Sequence, residues 1–351
     1  MSGGSGGTLA PWAAAAIACV GAGIVAEAIG LPAPWLLAGL LGGLAVAVTR
    51  GGALDVPQAP TVVSQAVVGV ALGASVAPGS LGGIAGAWPL VLALVAATLG
   101  SSVAVAFGLA RLTEIDRVTA ALGMLPGAAP ALIAVGDEVD ADARLVATMQ
   151  YGRVLLVVAT VPLLALLLGS GAAAPGPPRP EAPTGLEPGL AAAALAAAGA
   201  ALATLARAPA ASLVGPLILS AVAAATGIVP LAVPGLVADA AFVVVGASVG
   251  LRFDRESLRH AGRLAPYMAA AVLVLTVICA ALGVVLLAAL DTDPLTAYLA
   301  TTPGGISSVL AAAFDSGAEV TVVVAVQTVR LMVLALVAPF AARLLGRLSA
   351  G

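Results

Sequence analysis

A chain of 351 residues that is 61% hydrophobic and only 9% charged, with a mean hydropathy of +1.15, is not a soluble domain. Its formal net charge of −3 says little, because so few charges act through placement rather than number. All 14 basic residues are Arg and Lys is absent, which excludes a nucleotide-driven pump with a Gly-x-x-x-x-Gly-Lys-Ser/Thr loop.

Runs of about 20 apolar residues recur along the chain, each enough to cross a hydrocarbon core roughly 30 Å thick. The stretch Met1 to Gly7 carries no basic residue, and the apolar run behind it is too long for a signal sequence. Leu9 onward therefore reads as a retained span. Six apolar segments follow in the first half, at 9–29, 33–49, 58–76, 83–110, 118–135 and 144–168. A polar, Pro-rich linker occupies 169–186, and six counterparts lie at 187–206, 210–229, 236–251, 264–290, 295–313 and 320–342. The chain is thus an all-α polytopic membrane protein with a first transmembrane repeat over 1–168 and a second over 187–351.

The repeat shows in residues that composition does not explain. Arg330 lies 177 residues beyond Arg153, and the same shift pairs Pro11 with Pro188, Pro32 with Pro209, Gly69 with Gly246 and Gly73 with Gly250. It also pairs Asp116 with Asp293, Pro126-Gly127 with Pro303-Gly304, and Gln150 with Gln327.

Arginine placement sets orientation through the positive-inside rule. In the first half Arg50 follows segment two, Arg111 and Arg117 follow segment four, and the loop Ala77 to Ser80 is uncharged. In the second half Arg252, Arg255, Arg259 and Arg263 crowd the loop after segment three, whereas Asp291 and Asp293 follow segment four. Equivalent loops lie on opposite sides, so the repeats are inverted. Inversion needs an odd number of crossings per repeat, so one segment must return. Segment five, interrupted by Leu125-Pro126-Gly127 and Thr302-Pro303-Gly304-Gly305, is the candidate. About ten transmembrane helices plus two broken or re-entrant Pro-Gly segments result, with both termini cytoplasmic. A broken segment that crosses, combined with a merged first pair, is the alternative.

Broken backbone at membrane depth is tolerated only inside protein or beside a wet cavity, where freed polar groups bind solutes or ions. Thr301, Thr302, Pro303, Gly304, Gly305, Ser307 and Ser308 put four hydroxyls around the second break, with Pro126 and Gly127 at the first. Gln150 and Arg153, like Gln327 and Arg330, are three residues apart and share a helix face. A guanidinium so deep costs about 2.5 kcal/mol or more and must face partners. Two readings stand: the pair of arginines holds an anionic group, whose geometry suits their forked donors, or each caps carbonyls released at its break. Asp239, inside a span, is a candidate for binding a coupling ion or for pairing with Arg330. The acidic run Asp137 to Asp142 reads as a solvated loop. Cys19 and Cys279 lie in apolar runs and His260 stands alone, so neither metal nor cofactor is expected.

Two Pro-Gly breaks, each followed by an acidic loop and then by Met149-Gln150-x-x-Arg153 or Val326-Gln327-x-x-Arg330, resemble the duplicated AbrB family of bacterial membrane proteins. The resemblance covers nearly the whole chain. Typical members are similar to Ser-Pro-Gly-Gly at both breaks, whereas this chain has Leu125-Pro126-Gly127-Ala128 and Thr302-Pro303-Gly304-Gly305. The broken segments are also similar, more distantly, to those of cation/proton antiporters and bile-acid-type symporters. The family's labels, ammonia monooxygenase and AidB regulator, imply metal ligands or gene control. One His and two separated Cys cannot hold copper or iron, and no DNA-reading module is present. The expected function is secondary transport of a small solute, an organic anion being one candidate, by a core made of segments three to six of each half. A membrane sensor or scaffold that keeps a transporter-like fold is the alternative. The expected partners are the bilayer and a small molecule or ion, without nucleic acid, and a homodimer is one admissible assembly.

Overall fold

Backbone polar groups in hydrocarbon must be satisfied within their own segment, and every regular element among the described residues is a helix. The computed structural model describes residues 9–349 apart from 30, 32, 51–56, 77–85, 128, 140, 168–185, 209 and 253–260. The first half contains α1 (Leu9–Ala28), α2 (Pro34–Arg50), α3 (Gln58–Ala74), α4 (Trp88–Leu112), α5 (Arg117–Met124), α6 (Ala129–Glu138) and α7 (Ala143–Leu167). The second contains α8 (Leu186–Leu205), α9 (Ala211–Thr226), α10 (Gly235–Gly250), α11 (Ala265–Leu290), α12 (Pro294–Thr301), α13 (Ile306–Asp315) and α14 (Val320–Ser349). Every helix of the second half begins 177 residues after its counterpart, so the duplication extends to helix starts. The linker up to residue 185, the uncharged loop at Ala77 to Ser80, and Arg255, Arg259 and His260 lie outside the described residues.

Among the described residues three helices are long and apolar enough to cross a membrane: Trp88–Leu112, Glu187–Leu205 and Ala265–Leu290. Leu205, Leu236, Val277 and Leu336 are exposed on the outside, as a lipid-facing surface requires. This is a membrane-associated helical protein.

The helices form two bundles. In the first, α2 packs on α10 and α3 on α9, with α1 against α2, α8 against α9, and α3 also touching α10. Small residues permit these crossings. A Cβ on Gly246 would run into Leu36 and Leu40 of α2, and one on Gly250 into Leu40 and Leu44. The numbers rise together, so α2 and α10 run in the same direction. Gly69 and Gly73 meet Leu213, Leu217 and Ala221 in the same way, and α3 and α9 are likewise parallel. The second bundle joins α4 to α11 and lays α5 and α6 along α7, and α12 and α13 along α14. Segment three therefore does not belong to the core expected from segments three to six. Its Gly-x-x-x-Gly face, Gly69 and Gly73 or Gly246 and Gly250, ties it to the first bundle.

Segment five is not one helix. Asp116 accepts from the Val118 and Thr119 amides at 2.9 and 2.8 Å and starts α5. Asp293 accepts from the Thr296 amide at 2.9 Å, and Pro294 occupies the first turn of α12. The far ends return to these caps. The Asp142 amide donates to Thr119 Oγ1 at 2.9 Å, and the Glu319 amide donates to Thr296 Oγ1 at 2.7 Å. Each segment five thus begins and ends side by side, as a hairpin of two short helices. The first pair, α1 and α2, is not merged.

These contacts predict that Gly246→Leu lowers the unfolding midpoint in detergent, because the added carbons meet backbone, at about 1–3 kcal/mol or more. Gly152→Ala, where a Cβ would have nothing within 4 Å, should leave the midpoint nearly unchanged. Equal midpoints for the two variants would contradict the close approach of α2 and α10.

Candidate functional site at the hairpin tips

A helix that stops inside a membrane protein leaves its last carbonyls without intrahelical partners. Here α5 stops at Met124 and α12 at Thr301, each before a Pro. Gln150 Nε2 donates to the carbonyls of Leu122 at 2.6 Å and Leu125 at 2.9 Å. Arg153 Nη1 donates to those of Gly123, Met124 and Leu125 at 3.3, 3.1 and 3.0 Å. Its Nη2 donates to Gln150 Oε1 at 2.8 Å. In the second repeat Gln327 Nε2 donates to the carbonyls of Leu299, Ala300 and Thr302 at 2.8, 3.2 and 3.3 Å. Arg330 donates through Nη1 to Thr302 O at 2.6 Å and through Nη2 to Gly304 O at 2.9 Å.

Each glutamine and arginine thus closes the end of its own repeat's half-helix, where the helix dipole also favours a cation. Arg153 is 1% exposed and Arg330 4%, so neither reaches the surface. Each lies ten residues into its helix, about 15 Å along it, near half the thickness of a hydrocarbon core. The capping reading describes these bonds, and the donors left over bear on any ligand.

The two tips meet. Pro126 and Gly127 of the first and Gly304 and Ile306 of the second line one small, partly enclosed pocket of about 40 Å³. Gln327, Arg330 and Leu331 of α14 form another side, and Ala210, just before α9, closes it from the other bundle. Five of the residues singled out in the sequence, Pro126, Gly127, Gly304, Gln327 and Arg330, therefore share one space. Gln150 and Arg153 sit behind the first tip and are not in its lining.

Two of the four hydroxyls at the second break are engaged within their own helices, and the buried Thr302 Oγ1 has no hydrogen-bond partner. Thr301 Oγ1 donates to Ala297 O at 3.0 Å, within its own helix, and Ser308 Oγ donates to Gly305 O at 2.9 Å. Thr302 and Pro303 are buried. The side chain of Ser307 lies outside the described residues, as do those of Asp137 and Glu138. Asp239 is half-buried in the first turns of α10 and is not part of the pocket lining, while Arg330 is held by carbonyls.

Two features escaped the sequence reading. Ala210 has φ of 50° and its counterpart Ala33 φ of 54°, a left-handed conformation rare for alanine. The only hint in the sequence is the Pro that precedes each. Arg252, at the end of α10, donates to the Tyr151 hydroxyl at 2.5 Å, its guanidinium carbon 5.3 Å from the ring centroid. That contact ties α7 of one bundle to α10 of the other. The aligned positions hold Thr328 and Ser75, too short for such a bridge.

Comparison with known proteins gives the family of this chain. A family described as "Transition state regulatory protein AbrB" matches residues 35–346. The chain belongs to the AbrB family. It is similar to the Escherichia coli (strain K12) protein named "Putative regulator AbrB", 33% identical over 317 residues, which is 90% of this chain and 91% of that protein. No solved structure matches. Within this AbrB-family chain the paired Gln and Arg are the best-defined polar feature of the membrane interior.

Gln150→Leu should destabilise by about 2 kcal/mol or more, because two buried carbonyls and one Arg153 nitrogen each lose a partner. Arg117→Gln, at an exposed position, should leave the midpoint almost unmoved. Thermal unfolding of the purified protein compares them, and a Gln150→Leu midpoint at the wild-type value would refute the capping role.

Proposed function

We propose that this AbrB-family protein is a secondary transporter that moves a small solute, an organic anion, through a site between its two hairpin tips. Its bundle of α4–α7 and α11–α14 shifts against the bundle of α1–α3 and α8–α10. The observation that carries the reading is the shared pocket, built from both tips and closed by Ala210 of the other bundle. A site at the junction of two bundles is exposed to alternate sides when one moves against the other. The chain catalyses no reaction in this reading, works without a cofactor, and has the bilayer and its solute as partners.

The same reading makes the repeats inverted. Parallel packing of α2 with α10 and of α3 with α9 supports it, since successive crossing helices alternate in direction. If α9 and α10 alternate, α2 and its copy α9 point opposite ways. Five crossings per repeat follow, from α1–α4 and α7 and their copies, with one hairpin entering from each side. Both termini then lie in the cytoplasm of a bacterium, as do Arg50, Arg111, Arg117, Arg207, Arg252 and Arg263. The buried guanidiniums favour an anionic solute. The word "regulator" in the relative's name admits a second reading, a membrane sensor with a transporter-like fold.

Glu114 and Asp291, both exposed and aligned by the repeat, test the orientation. Labelled as Glu114→Cys and Asp291→Cys, they should react from the cytoplasmic and outer face respectively, while native Cys19 and Cys279 are buried. Reaction of both from one face would remove the inversion. Function is tested in proteoliposomes: solute uptake driven by a proton or sodium gradient supports transport, and saturable binding without flux under any gradient supports the sensor.

A further inference from the structure

One difference between the repeats bears on what the pocket holds, granted the transport reading above. In the first repeat the Gln150 amide is fully used, its Oε1 accepting from Arg153 Nη2 at 2.8 Å. In the second, Arg330 Nη2 donates to the Gly304 carbonyl, and the buried Gln327 Oε1 has no hydrogen-bond partner. The amide cannot be turned round, because Nε2 faces three carbonyls that only a donor satisfies. Arg330 Nε also lacks a partner, as Arg153 Nε does in the first repeat, so the difference rests on Gln327 Oε1. Both residues line the pocket, beside Gly304 and Ile306.

Ile306 opens α13, a helix of 10 residues with no side-chain cap on its N-terminus. Its first amides are donors without intrahelical partners, at the positive end of the helix dipole. The pocket therefore combines a cation and spare N–H groups with one buried acceptor that needs a donor. An occupant that answers both carries a negative acceptor group and a neighbouring neutral donor. The geometry points to a small hydroxycarboxylate, its carboxylate held by Arg330 and the α13 N-terminus and its hydroxyl donating to Gln327 Oε1. An ammonium in the donor's place would add a second positive charge beside Arg330, with no carboxylate in the pocket lining to offset it. Pro126, Ala210 and Leu331 supply the apolar wall for a short carbon chain.

The test uses the full chain in lipid nanodiscs, titrated calorimetrically with lactate, propionate, lactamide and ethanolamine. These probes carry, in turn, both groups, the charge alone, the donors alone, and the opposite charge. Lactate should bind at least about tenfold tighter than propionate, the effect of one well-placed hydrogen bond to a buried acceptor. Lactamide and ethanolamine should bind more weakly still. In Gln327→Leu the preference of lactate over propionate should vanish, whereas Gln150→Leu, whose Oε1 is already engaged by Arg153, should keep it. Should Gln327→Leu fail to fold, the four-probe ranking on the wild-type chain still decides. Equal affinity for lactate and propionate, a preference for lactamide or ethanolamine, or no binding of any probe overturns the assignment. Uptake of ethanolamine but not lactate would sink the hydroxycarboxylate and leave transport standing. Tight lactate binding without flux would do the reverse.

Discussion

A helix that ends at the middle of a membrane leaves carbonyls where water cannot reach them, and the architecture follows from how those carbonyls are satisfied. A buried, unpaired carbonyl costs about 1–3 kcal/mol. An arginine at the centre of a membrane helix costs about 2.5–3.5 kcal/mol on insertion scales. Placed on three carbonyls at the end of α5, as Arg153 is, the second cost is offset by relief of the first. The guanidinium and the broken helix are each unfavourable alone and stable together. Gln150 and Gln327 extend the coverage to the carbonyls one turn back, which the arginine does not contact.

The hairpins need a second constraint at their open ends. Thr119 and Thr296 supply it, each accepting an amide from the residue where the chain comes back. Asp116 and Asp293 fix the departing helix one turn earlier. Polar contacts therefore pin a hairpin at its base and at its tip, while its sides pack on α7 or α14 through apolar residues. The first bundle is held differently, by close backbone approach at Gly39, Gly69, Gly73, Gly246 and Gly250, which leaves little room for internal adjustment.

Much of this was legible in the chain because proline, glycine, glutamine and arginine at a fixed shift are informative against an apolar background. The duplication, the helix starts, the break positions and the burial of Arg153 and Arg330 all follow from that pattern. What escaped had a physical reason in each case. Segment three is as apolar as its neighbours, and only the partner of Gly69 or Gly246 decides which bundle it joins. The hydroxyls at Thr301 and Ser308 drew attention as ligands, yet a hydroxyl on a helix reaches its own preceding carbonyl first, and in hydrocarbon that bond is kept. Ala210 was invisible because nothing in an alanine announces a positive φ.

Sequence symmetry is broken where the two repeats must differ. The Gln-Arg pair occurs in both, but Arg153 returns to Gln150 whereas Arg330 turns to the Gly304 carbonyl. The second tip can offer that carbonyl to Arg330 because its pocket brings Gly304 beside α14. The bridge between bundles is equally one-sided, since Tyr151 reaches Arg252 while Thr328 and Ser75 leave the aligned position without one. Identical contacts would make the two repeats interchangeable, whereas the unequal contacts at the tips and at the bundle boundary make them distinct environments built from one pattern.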